Sequence, residues 1–152
     1  MVEVSRMESL KELLAGRPAV IARTRQGQLI PGFLDKGKLL TRGVLKMSDT
    51  HGEPIPVDIH KLKGVFFVRD FTGNRDYLEE KSILHDPELP GLRVRLRFED
   101  NESLEGVAEN SLELLTSPGF FFWPADTKSN NRLIYVVKVA LIGFRVLTVR
   151  HR

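Results

Sequence analysis

One pattern in this chain is spelled twice. Val20-Ile21-Ala22-Arg23-Thr24, followed by Gly27-Gln28-Leu29-Ile30-Pro31-Gly32, is echoed by Val94-Arg95-Leu96-Arg97-Phe98, followed by Asn101-Glu102-Ser103-Leu104-Glu105-Gly106. A second echo closes each half, with Ile55-Pro56-Val57 through Leu62-Lys63-Gly64-Val65 set against Ile134-Tyr135-Val136 through Leu141-Ile142-Gly143-Phe144. Such a repeat constrains architecture before any motif is consulted, because each copy must fold by the same local rules. Gly32 to Gly106 is an offset of 74 residues and Gly64 to Gly143 one of 79. The two agree if the second copy carries a longer loop, and the polar stretch Pro124 to Asn131 is the place for it.

Hydrophobic periodicity divides the chain further. Ser5-Arg6-Met7-Glu8 is a capping box, and Met7, Leu10 and Leu14 recur at helical spacing before Gly16 and Pro18 end the segment, so one helix is expected over Ser5 to Ala15. After Pro18 the period drops to two, with Val20, Ala22 and Thr24 on one face and Ile21, Arg23 and Arg25 on the other. About five short strands are expected by Arg69, separated by Gln26-Gly27, Asp35 to Lys38 and Asp49 to Pro54. Asp86-Pro87-Glu88-Leu89-Pro90-Gly91 marks a boundary, and one helical turn is expected over Asp76 to Lys81. The strands resume with Val94, Leu96 and Phe98 inward and Arg93, Arg95 and Arg97 outward.

Five short, twisted strands bury their apolar sides by curling into a small barrel, which also removes free edges. The expected fold is therefore mainly β, two tandem five-stranded barrels with one N-terminal α-helix. The expected division is 1–70 for the helix and first barrel, 71–91 for a linker and 92–152 for the second barrel. A helix, a strand, a glycine turn, a strand with an internal glycine and an apolar β-turn-β ending resemble the Sm-like or SH3-like barrel plan. The carrying residues are Val20 to Gly32 with Leu62 to Val68, and Val94 to Gly106 with Leu141 to Leu147. Gly64-Val65-Phe66-Phe67-Val68-Arg69-Asp70-Phe71 and Gly119-Phe120-Phe121-Phe122-Trp123-Pro124-Ala125-Asp126, with Ser129-Asn130-Asn131, resemble an uncharacterised bacterial domain family. That family is sometimes found beside PilZ-type signalling domains, and the resemblance implies no activity.

Candidate sites follow from the mismatches between the copies. Arg93 to Arg97 and Asn101-Glu102-Ser103-Leu104-Glu105-Gly106 match the two PilZ motifs for a cyclic dinucleotide, whose phosphates and guanine edges suit guanidinium forks. Here the motifs sit adjacent in one hairpin instead of converging from separate segments, so an ordinary charged hairpin is the preferred reading. Arg23, Arg25, Arg93, Arg95 and Arg97 are candidates to track a nucleic-acid backbone, and Sm-like barrels often bind RNA. Against this, no strand interleaves basic and aromatic residues in the manner of single-strand binders. Phe120 to Trp123 and Val65 to Val68 are apolar on both sides and must be covered on both, by their own barrel and by the other barrel or the linker. Phe120, Phe122, Trp123, Asp126, Asn130 and Asn131 are the protein-contact candidates, although asparagines in loops also tie off their own backbone.

Catalysis finds no footing. The four histidines lack metal-ligand spacing, no glycine-rich loop precedes a helix, and Glu99 with Asp100 sits at a hairpin turn. With no cysteine, thiol chemistry and disulfides are excluded. No cofactor and no metal are expected. The residues are 41% hydrophobic and 28% charged, with no run approaching the roughly 18 apolar residues of a membrane helix, so no membrane partner is expected. The polar Met1 to Arg6 lacks a signal core, and a cytoplasmic location is expected. The formal charge of +3 permits nucleic acid without demanding it. The expected function is a non-catalytic binding or scaffolding module with a protein partner, possible alternatives being an RNA binder and a cyclic-dinucleotide sensor.

Overall fold

The computed structural model describes residues 10, 12–35, 39–41, 44–73 and 76–150. Helical residues 12–15 (α1) lead into β1 (Ala19–Thr24), β2 (Leu29–Leu34), β3 (Leu40–Thr41), β4 (Val44–Ser48), β5 (Pro54–Asp58) and β6 (Leu62–Val68). The second half holds β7 (Gly91–Phe98), β8 (Ser103–Ala108), α2 (Glu113–Thr116), β9 (Gly119–Pro124), β10 (Asn131–Val137) and β11 (Leu141–Arg150). Single 3-10 turns, Ile59–Lys61 and Lys138–Ala140, join the last two strands of each half. The capping box at Ser5 lies outside the described residues. What is described of α1 ends as expected, with the Gly16 N–H bonded to the Glu12 carbonyl at 3.1 Å.

The two tandem barrels expected from the sequence are not what forms. All eleven strands join one continuous, open, antiparallel sheet in the order β11-β7-β8-β9-β10-β6-β1-β2-β4-β3, with β5 paired to β4. The physical reason is the seam between the halves. β6 hydrogen-bonds β1 of its own half on one edge and β10 of the other half on the other edge, through Ile134↔Phe66, Tyr135↔Val65 and Val136↔Gly64. Neither half therefore closes its sheet alone. A second helix, α2, also appears where one helix was expected. The turn expected over Asp76 to Lys81 does not form a helix: 77–81 have no regular secondary structure, and the Glu80 N–H bonds the Asp126 carboxylate while the Lys81 carbonyl accepts from the Glu105 N–H.

Within each half the pairing order repeats. β6-β1-β2-β4-β5 in the first matches β11-β7-β8-β9-β10 in the second. Two hydrophobic cores accompany them, and the seam strands serve both by their two-residue period. β6 sends Val65 and Phe67 into the first core and Phe66 and Val68 into the second. β10 does likewise, Leu133, Tyr135 and Val137 facing the first and Ile134 and Val136 the second. This explains why all seven residues of β6 are buried.

The echoed glycines have a shared cause. Gly32 and Gly106 each lie against the next strand's backbone, where a β-carbon would stand 2.2 Å from the Ser48 carbonyl oxygen and 2.3 Å from that of Trp123, respectively. No side chain fits there without separating the strands. Gly32→Ala and Gly106→Ala are therefore each expected to destabilise the fold by about 1–3 kcal/mol through overpacking. Urea denaturation of the two variants checks this, and an unchanged midpoint in either would show that strand spacing at that position is not limiting.

Candidate functional site

The arginines proposed from sequence are mostly occupied by the protein itself. Arg25 forks onto Glu99 with bonds of 2.7 and 3.0 Å, joining the first half to the β7–β8 turn. Arg23 lies with its guanidinium carbon 4.6 Å from the Phe66 ring centroid. Arg93, expected to face outward, is buried at 3% exposure, because the linker wraps over it: its guanidinium bonds the Leu89 carbonyl and, at 2.5 Å, the Asp86 carboxylate. Arg95 pairs with Glu105 at 2.6 Å across the hairpin. Arg97 has a single long bond, 3.4 Å, to the Asn101 side chain. Asn101 supplies the left-handed turn (φ +71°), and Ser103 is exposed at the start of β8. The structure thus spreads the PilZ-like residues along a hairpin, with Arg93 committed to the linker.

Beside this turn lies a second buried cation. Lys63 on β6 donates to Asp100 at 2.8 Å and Glu102 at 2.5 Å, and sits 4.6 Å from the Phe98 ring centroid. Hydrogen bonding from Lys63 holds Asp100 below its ordinary pKa. Burial pushes Glu102 up, but Lys63 and Lys81 outweigh it and leave that carboxyl lowered. The Arg25 hydrogen bond lowers Glu99 in the same way. The cluster is a clamp between the halves. Among the described residues no three His, Asp or Glu side chains gather to hold a metal.

The aromatic strand and its loop are also structural. Phe120 and Phe122 fill the second core at 1% and 0% exposure, while Phe121 and Trp123 pack against the first. Both-sided coverage is supplied by the two cores, as the apolar run on β9 requires. The 124–131 loop fastens the linker. Asp126 accepts from the Tyr77 hydroxyl at 2.5 Å and the Glu80 N–H at 2.9 Å, and that hydrogen bond is the main reason the Tyr77 pKa is pushed up to about 12. Asn130 both accepts from the Asp70 N–H and donates to the Asp70 carbonyl, and the Asn131 N–H bonds the Ser129 hydroxyl.

What remains open is a surface the sequence reading passed over. On β11, Ile142, Phe144 and Val146 are 60%, 39% and 49% exposed, and Leu115 on α2 is 80% exposed. Leu114, Leu115, Phe120, Leu141, Ile142 and Phe144 line an open groove of roughly 480 Å³ with Lys138 at its rim. The contrast with the first half is quantitative. Val65 and Phe67 occupy the places on β6 that Phe144 and Val146 occupy on β11, opposite Ala22 and Val20 as the latter are opposite Leu96 and Val94. The β6 pair is fully buried in the first core, with β10 hydrogen-bonded alongside. The available signal was the both-sided apolar character of 141–147, the same signal read at β6.

A model of a family of unknown function, DUF6982, matches residues 16–148, and the chain belongs to that family. Nothing matches the chain among curated proteins or among solved structures. No helix among the described residues is long and apolar enough to cross a membrane.

Because Glu99, Asp100 and Glu102 have folded-state values below their ordinary 4.5, 3.8 and 4.5, the stability of this clamp is complete above about pH 5 and is lost as pH falls through the lowered values. Lys63→Met is expected to cost about 1–3 kcal/mol at neutral pH. The cost should shrink as the pH is taken toward about 3 and the carboxylates protonate. Urea unfolding of both proteins across that range measures it, and a pH-independent loss would assign the role of Lys63 to packing of its stem instead.

Proposed function

We propose that this member of the DUF6982 family is a non-catalytic protein-interaction module whose contact surface is formed by β11 and α2. One observation carries the reading: Ile142, Phe144, Val146 and Leu115 form an apolar surface beside a groove, whereas the matching positions on β6 are covered. Contiguous exposed apolar surface marks interaction sites, while single exposed apolar residues do not. The cores, the charged clamp and the linker contacts meanwhile occupy Phe120, Phe122, Trp123, Arg25, Arg93, Asp126 and Asn130. A nucleic-acid reading draws less support, since Arg25, Arg93 and Arg95 each already have a carboxylate partner. A cyclic-dinucleotide reading draws less still, because Arg93 is buried beneath the linker. A role in the bacterial cytoplasm beside PilZ-type domains belongs to this proposal on the strength of resemblance alone.

The test is positional. A photo-cross-linking residue at Leu115 or Ile142 is expected to give covalent protein adducts in cells expressing the chain. The same group at Leu29, an exposed residue of β2 away from this surface, should give none. Equal labelling from all three positions would sink the proposal. So would RNA binding with a steep salt slope and no adducts.

A further inference from the structure

We infer that the partner is an extended segment of another protein, alternating apolar and acidic residues, which adds as a strand along the free edge of β11. This rests on the protein-interaction reading above and names the occupant of that surface. β11 is ten residues long and among the described residues pairs with β7 alone, so its other edge presents backbone groups with no partner among them. The sequence of β11 contains no proline, no lysine and no acid to discourage pairing. The chain itself shows what such an edge accepts: β6, at the same place in the pairing order, is covered by the antiparallel strand β10, whose Tyr135 and Leu133 lie beside Val65 and Phe67.

Pleat and charge specify the occupant. Directly opposite residues share a face, so Phe144 and Val146 lie on the core side with Leu96 and Val94, and Arg145 lies on the outer side with Arg95. An added strand must offer apolar side chains on the first side. On the second it meets two arginines placed directly opposite each other, an unfavourable pair. Glu105 compensates Arg95. Arg145 has no hydrogen-bond or ion-pair partner among the described residues, and Arg97 lies opposite Gly143 with only its long bond to Asn101. Acidic residues at alternate positions of the added strand would meet these cations.

A second copy of this chain fits less well. Its β5, the counterpart of the covering strand β10, carries Pro54 and Pro56, which lack the N–H groups that pairing uses, and Asp58. Two β11 strands paired with each other would bring Arg145, Arg95 and Arg97 of both copies to one face without added acid.

The probes are acetylated, amidated octapeptides titrated into the full chain and followed by amide NMR shifts. A peptide alternating valine and glutamate is expected to bind saturably, with shifts centred on 141–148, and at least tenfold more tightly than one alternating valine and lysine. N-methylation of alternate amides on the pairing edge should abolish binding. Arg145→Glu should reverse the preference for the acidic peptide while leaving the urea midpoint close to wild type. Equal affinity for the two peptides, or binding by neither at millimolar concentration, overturns the inference. So does light scattering that shows a dimer dissociated by Val146→Lys, which would make a second copy the occupant. If the peptides fail while cross-links at Leu115 and Ile142 persist, the strand-addition inference falls and the protein-interaction reading stands.

Discussion

Everything in this fold depends on two adjacent strands having no solvent face. β6 and β10 each alternate their side chains between two cores, so the seam that joins the halves is also a wall of both. Phe67 and Phe66 are consecutive residues filling different cores, and Leu133 to Val137 do the same from the other strand. Burying a phenylalanine contributes about 1.5–3 kcal/mol relative to exposure, so the ten core residues of β6 and β10 placed this way outweigh any surface ion pair. The same arrangement removes independence. Parting β6 from β10 would strip a wall from each core at once, which makes the sheet the cooperative unit.

The charged clamp gains its meaning from that seam. Lys63 is carried on β6, and both of its carboxylates come from the β7–β8 turn of the opposite half. Arg25 to Glu99 runs in the same sense, from the β1–β2 turn to the same segment. A buried lysine is costly unless paired, and here it has two carboxylates and an aromatic face. Such contacts add less net energy than apolar packing, yet they favour one alignment of the two halves, because a one-residue slip at β6 would carry Lys63 away from both carboxylates. The linker is fastened on the other side by equivalent logic, through Asp86 to Arg93 and Asp126 to Tyr77.

Much of this was legible in the residues. Period-two alternation located the strands, and the glycine echo marked the repeat, although its cause, the close approach to Ser48 and Trp123, is set by strand pairing. The both-sided apolar runs at 65–68 and 120–123 required cover on two sides, and each has it. The closed-barrel expectation failed because strand periodicity reports how many faces are covered, without saying which strand pairs along the edge. The arginine stripe misled for a related reason. Alternation gives the side of the sheet, but whether Arg93 meets water or a linker depends on 86–91, which has no periodicity to read. The loop residues Asp126 and Asn130 were nominated as contacts because polar loops commonly carry function, and their bonds to Glu80 and Asp70 are set by tertiary geometry alone.

Two like units joined in a row bury one junction and leave two terminal edges. In this chain the edges are treated differently. β5 ends the first half with exposed Pro54, Pro56 and Asp58, a strand that cannot extend the sheet easily. β11 ends the second with exposed Ile142, Phe144, Val146 and Leu147 and no proline or acid, its pairing with β7 interrupted by register shifts after Leu141 and Val146. Symmetric protection would have been available through the same prolines. The two edges are not equivalent positions of the repeat: β5 is the counterpart of β10, and β11 is the counterpart of β6. Packing explains why β6 is apolar on both faces: each face fills one core, and β10 continues the sheet beside it. β11 repeats that character without such a neighbour among the described residues, and the strand we propose would supply one.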